Sequence, residues 1–218
     1  QRKAADFLAG QFEEMGLQPV NGSYFQPVPL TVTQLKGGLL TLGSEKLIFK
    51  NDFVPYPGIQ VADIVGEAVF VGYGIQDGAW NDYAGLDVSG KTVVMMAGEP
   101  GSAEKGYAIS GTETPSKWSQ DPSVKRMMAD SLGAVATILV TPEFATLKSR
   151  LVPWLSRERM RLDVDRQGEG TDLPILLVSE EVLLRSTGWK SMKEVRKKWP
   201  KRKLKGTNLS VMELHLAR

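Results

Sequence analysis

Few side chains in this sequence have the type and spacing to do chemistry. Its 218 residues include one histidine, His215, and no cysteine. The missing thiols remove disulfides, thiolate nucleophiles and every cysteine-based metal site. One histidine cannot build a Ser-His-Asp triad or a His-rich zinc site. His215 also stands in an alternating run on the same face as Glu213, the setting of an ordinary surface strand histidine. What remains is carboxylate. Asp77, Asp82 and Asp87 fall in one loop after Val71 and could offer oxygen ligands to a hard cation such as calcium. The same residues, with Asn81, are equally suited to hydrogen-bond their own backbone in turns, and that is the expected use. Gly72-Tyr73-Gly74 opens like a dinucleotide-binding loop, but Asp77 stands where the third glycine belongs and no helical pattern follows. It is read as a turn. No catalytic residue and no metal ligand is assigned, ligand-binding residues stay unknown, and no affinity for zinc is expected of this chain.

A second feature is charge. The net charge of +2 hides a run from Lys190 to Lys205 with nine Lys/Arg against Glu194 alone, so the run is +8 and the rest of the chain −6. Such a run can mark an anionic partner, but a solvated helix end is the expected reading. Trp199 is the one aromatic inside it, too little for a base-stacking surface. The five tryptophans are read as core or loop anchors before contact surfaces.

The elements that must position these residues follow from periodicity. Ala5, Leu8, Phe12 and Met15 recur at helical spacing over residues 2–15, with Gly16 as the stop. No capping residue precedes them, so the natural sequence is expected to begin earlier. From Tyr24 the period becomes two, giving strands over Phe25–Val32, Leu39–Leu42 and Lys46–Lys50, with Gly37-Gly38 as a hairpin turn. The prolines of residues 51–58 exclude a central strand, and a connection is expected. Glu67–Val71 and Thr92–Ala97 are apolar, β-branched strands flanking the long loop 72–90. Asp121-Pro122 is an N-cap with Pro at N1. A helix with Val124, Met127, Met128 and Leu132 on its apolar face runs to Gly133, and Ala134–Val140 is the next strand, so strand, helix and strand make a βαβ unit. Residues 143–171 are charged and weakly periodic. Leu147, Leu151, Trp154 and Leu155 suggest a short helix there, and 167–170 a mobile tip. Pro174–Val178 is a strand, Ser179 caps a helix ending near Gly188, Ser191 and Glu194 have capping-box spacing, and Leu209–Leu216 is a closing strand.

With 42% hydrophobic and 24% charged residues, the chain can close one core or a core with a small appendage. No apolar run of membrane-spanning length occurs, and no hydrophobic segment follows the first residues.

Taken in order, several segments resemble the protease-associated insert domain of aminopeptidase Y-type zinc peptidases, relatives of glutamate carboxypeptidase and the transferrin receptor. They are Phe12-Glu13-Glu14-Met15-Gly16-Leu17, Phe25-Gln26-Pro27-Val28-Pro29-Leu30, Asp52-Phe53-Val54-Pro55 and Val69-Phe70-Val71-Gly72-Tyr73-Gly74-Ile75. The most specific are Asn81-Asp82-Tyr83, the stretch Asp87 to Val94 with Gly90 and Lys91, and Glu99-Pro100. Trp118, Lys125 and Ala129, then Gly133-Ala134-Val135-Ala136, continue the match. The resemblance implies a mixed α/β fold: a β-sandwich or open barrel with a βαβ unit and flanking helices, plus an N-terminal helix. It further implies that residues 1–35 are the first helix and strand of a peptidase domain and that 36–218 are the insert. The chain is then a non-catalytic lid or interaction module beside a peptidase cleft, in a secreted or periplasmic protein. Zinc would belong to the peptidase domain that is not in this sequence. Expected partners are that domain, peptide substrate and a second copy of the chain through the N-terminal helix, with no nucleic acid and no membrane. The alternative is a free-standing peptide- or carbohydrate-binding module.

Overall fold

The computed structural model describes residues 2–56, 63–162, 173–201 and 208–217, the last of these by backbone alone. The chain divides into two compact units, Gln1–Thr33 with Glu158–Glu169, and Gln34–Arg157 with Gly170–Arg218.

The first unit holds helix α1, Arg2–Glu14. Gly16 ends it at a positive φ, and Leu17 N–H reaches back to the Phe12 carbonyl at 3.0 Å, the bond that closes a Schellman motif. The expected apolar stripe exists but is not covered. No residue of α1 is buried, and Leu8, Phe12 and Met15 are 52%, 39% and 66% exposed. The strand expected over Phe25–Val32 is shorter, Leu30–Thr33, and pairs antiparallel with Arg159–Leu162, a strand the weak periodicity of residues 143–171 did not reveal.

The second unit is built on one eight-stranded sheet. Its strands in chain order are β1 Gly37–Leu42, β2 Glu45–Ile48, β3 Phe53–Pro55, β4 Ile64–Phe70, β5 Thr92–Met96, β6 Ala136–Thr141, β7 Ile175–Ser179 and β8 Asn208–Ala217. Across the sheet they run β2-β1-β8-β4-β5-β6-β7-β3. The middle strands β4, β5, β6 and β7 are parallel, and the flanking pairs are antiparallel. All of β5 and β6 is buried, as the unbroken apolar runs require of parallel strands covered on both faces. The βαβ unit is β5, helix α2 (Pro122–Ser131) and β6.

The two edge strands, β2 and β3, are consecutive in the chain. A flat sheet would set them about 34 Å apart, whereas the five Cα steps from Ile48 to Phe53 reach at most ~18 Å. The sheet must therefore curl, and a bridge between Phe49 and Phe53 marks where its edges meet. The result is an open barrel within a mixed α/β fold. A short helix, Lys117–Gln120, precedes α2, and helices α3 (Phe144–Leu155), α4 (Glu180–Thr187) and α5 (Met192–Lys198) belong to the same unit. The tip expected at 167–170 lies outside the described residues.

Three expectations change. Gly37 and Gly38 lie in β1 opposite Ala217 and Leu216, and the hairpin turns at Gly43-Ser44 instead. Residues 53–55 are not a connection but an edge strand, the one place in a sheet where Pro55 is tolerated. The inward face of α2 carries Lys125 and Ala129, both buried, while Met127 is 64% exposed.

The turn after α2 needs a glycine. Gly133 has φ +81°, its carbonyl accepts from Gly90 N–H at 2.8 Å, and a Cβ there would stand 3.1 Å from Ser89 Oγ. Gly133→Val is expected to destabilise by about 1–3 kcal/mol through backbone strain. Denaturant unfolding checks this, and an unchanged midpoint would contradict the assignment.

Candidate functional site

The most specific residues of the family resemblance gather in two places in the second unit. The larger group surrounds the carboxylate of Asp82. After β4 the chain turns sharply at Gly72-Tyr73-Gly74, and Asp82 lies 2% exposed beneath that turn. Its Oδ2 accepts from Tyr73 N–H and Ile75 N–H, both at 3.1 Å, and its Oδ1 accepts from Trp199 Nε1 at 2.6 Å. Two amides and an indole thus hold a charge that burial would otherwise make costly. Burial still pushes the Asp82 carboxyl above its ordinary range, against the opposing effect of those donors.

The indole of Trp199 fills the space where Gly72 has no side chain, and a Cβ at residue 72 would overlap it. Gly72 also has φ +64°, so the position demands glycine twice over. A Cβ at Gly74 would meet Met95 Sδ at 2.9 Å. Phe70 packs in T-shaped contact with both Trp199 (5.1 Å) and Trp189 (4.9 Å). Asn81 turns the chain locally by accepting from Tyr83 N–H at 2.9 Å, and Tyr83 is buried beside Asp82 with its phenol pushed upward by desolvation.

Lys125 enters the same region from α2. Only 1% exposed, its Nζ donates to the carbonyls of Met96 (2.8 Å) and Gly98 (2.5 Å) and stands 5.8 Å from the centre of the Tyr73 ring. Desolvation lowers its pKa to about 7, despite the nearby charges of Asp82 and Glu99. Glu99 is buried too, and its Oε1 accepts from Ser116 N–H and Ser119 Oγ. Trp118, also buried, donates to Asp77 at 2.7 Å. The second group, Gly90, Lys91 and Gly133, joins the start of β5 to the end of α2. Lys91 bridges Glu67 (3.2 Å) and Asp87 (3.5 Å), and Gly90 bonds Gly133.

Asp77, Asp82 and Asp87 are therefore not brought together. Each serves a different partner, and among the described residues no group of three His, Cys, Asp or Glu could hold an ion. His215 lies in β8 opposite Leu39. A crevice of about 480 Å³ opens where β6 and β7 end, but its cations are already engaged. Lys148 donates to the Asn51 carbonyl, and Arg185 pairs with Asp52 and Glu45. Chemically, the large group is a clasp. It fixes a loop after one strand, the end of the next, and the 3₁₀ turn that follows α5. Sequence reasoning found Asp82, Gly72 and Lys125 but missed Trp199 as their partner, because 117 residues separate it from Asp82. The burial of Lys125 had a local signal, its place beside Val124 and one turn before Met128 and Ala129.

Among solved structures, the chain is similar to an aminopeptidase from Aneurinibacillus sp. strain AM-1 (15% identity, TM-score 0.41, 99% of this chain and 38% of that one). It is also similar to BSAP, a zinc aminopeptidase from Bacillus subtilis (12% identity, TM-score 0.39, 100% of this chain and 37% of that one). It thus spans under two fifths of the length of either protein. No protein-family model and no curated protein matches this chain.

Lys125 makes the clasp sensitive to pH. In the unfolded chain a lysine keeps its proton to about pH 10.5, whereas in the fold Lys125 releases it near 7. Between these values the unfolded state binds more protons, so stability rises with pH. Wild type is expected to gain on Lys125→Met by up to roughly 1 kcal/mol per pH unit from pH 7 toward 10. Urea unfolding across that range checks it, and a pH-independent difference would mean that the buried amine stays charged.

Proposed function

We propose that the second unit is a non-catalytic insert of the protease-associated type and that the first unit is the edge of a peptidase domain whose remainder is not in this sequence. One observation carries the reading: α1 buries none of its residues, while the second unit has its own core. A 13-residue helix and a two-stranded ribbon are each marginal in water. Phe12, Leu17, Val20, Tyr24, Phe25 and Pro27 also line an apolar hollow of about 680 Å³ in this unit. Such a unit needs a surface supplied from elsewhere, and burying Leu8, Phe12 and Met15 would stabilise by about 1.5–3 kcal/mol each.

The residues of the resemblance fit this role. Asp77, Asp82, Asp87, Glu99 and Lys125 are each engaged in holding the insert's own loops. On this reading the insert shapes access to a peptidase cleft. The whole polypeptide removes N-terminal residues from peptides with zinc held by its other domain, outside the cytoplasm. The chain alone is expected to release nothing from aminoacyl-4-nitroanilides with zinc added, and the complete polypeptide to do so until a chelator is present. Zinc-dependent hydrolysis by residues 1–218 alone would overturn the non-catalytic reading. An inactive, metal-free complete polypeptide would overturn the aminopeptidase reading.

A further inference from the structure

The basic run meets the clasp through Trp199, bonded to Asp82, and through Arg196, which faces Tyr73, and its remaining charges are arranged more specifically than solubility requires. Helix α5 and the 3₁₀ turn after it, Trp199–Lys201, bury Met192, Val195 and Trp199. Lys193, Lys197 and Lys201 recur every four residues on the opposite, exposed side, and Lys190 is exposed just before the Ser191 cap. Glu194 pairs with Lys198 at 3.4 Å and Arg196 with Glu180. Lys190, Lys193, Lys197 and Lys201 have no ion pair among the described residues.

The helix dipole accounts for only part of this. Cations are favoured in the last turn, where Lys197 and Lys198 lie, but not in the first turn, where Lys193 lies, nor ahead of the N-cap, where Lys190 lies. Like charges four residues apart also repel along a helix. The stripe therefore costs the fold something and calls for a partner.

We propose that this lysine stripe docks the protein peripherally on an anionic lipid surface. The stripe lies on the side of α5 opposite its buried residues. Among the described residues of the run, the four cations without an ion pair are lysines, compact point charges that meet a diffuse anionic surface without the forked geometry of arginine. The one aromatic of the run that would stack a base, Trp199, is buried, which disfavours single-stranded nucleic acid. The rest of the chain is −6, so an anionic surface repels it and selects the α5 face. The sequence-based expectation of no membrane partner rests on the lack of a spanning segment. Among the described residues no helix is long and apolar enough to cross a membrane, and a peripheral electrostatic contact needs none.

Flotation of the 218-residue chain with vesicles tests this. Binding is expected to phosphatidylcholine vesicles that contain phosphatidylglycerol, with loss at high salt. Lys193→Gln, Lys197→Gln and Lys201→Gln together should weaken it about a hundredfold, with an unfolding midpoint unchanged or raised as repulsion is relieved. Binding to phosphatidylcholine alone that salt does not weaken would trace adsorption to the exposed apolar side chains of the first unit and overturn the proposal. So would triple-variant binding equal to wild type, no binding to either vesicle, or tighter binding to duplex DNA or polyglutamate than to anionic vesicles.

Discussion

A single buried carboxylate organises the second unit. Asp82 takes two N–H groups of the turn just before it and the indole N–H of Trp199, which lies 117 residues later. In a poorly hydrated interior each of these bonds matters in both directions: satisfied, they fix the loop, and unsatisfied, they would leave a charge without water. The indole lies over Gly72 as it reaches Asp82, so residue 72 can carry no side chain, and Phe70 packs against the indole in T-shaped contact. Sequence, backbone angle and packing thus converge on one point. The 3₁₀ turn after the basic helix is tied to the start of the long loop after β4.

Lys125 extends the same logic to the next strand. Its amine donates to the carbonyls of Met96 and Gly98 where β5 ends, and it stays there because two backbone acceptors and the Tyr73 ring replace water. Burial lowers its affinity for a proton, Asp82 and Glu99 raise it, and burial prevails. A lysine on the inner face of a helix and an aspartate under a glycine turn look like functional groups in isolation. Here their geometry is that of a scaffold whose polar parts hold loops in place.

Much of this fold was legible in the sequence. The helix stop at Gly16, the Asp121-Pro122 start, the Ser179 and Ser191 caps and the parallel β5–α2–β6 unit all follow from local rules, which act within a few residues. Errors arose where a local cue had two meanings. Gly37-Gly38 has turn composition, but the neighbouring Gly43-Ser44 makes the turn because it sets Leu42 opposite Glu45 in the paired register. Pro55 rules out a central strand and not an edge strand. The strand Arg159–Leu162 exists because Leu30–Thr33, about 130 residues earlier, offers it an edge, and such pairing leaves no mark in a charged sequence. The clasp was half legible. Its members carry local signals one by one, but nothing local says that Trp199 and Asp82 meet.

The central claim is that the Asp82–Trp199 bond is a shared energetic element and not two independent side chains that happen to touch. A double-mutant cycle measures this directly, with Asp82→Asn, Trp199→Phe and the pair compared by denaturant unfolding. Since a hydrogen bond to a charged group is worth about 1.5–3 kcal/mol, the account predicts a coupling of that size, with the pair less destabilising than the sum of its parts. Losses additive to within about 0.5 kcal/mol would contradict it and leave the fold of the long loop to its own turns.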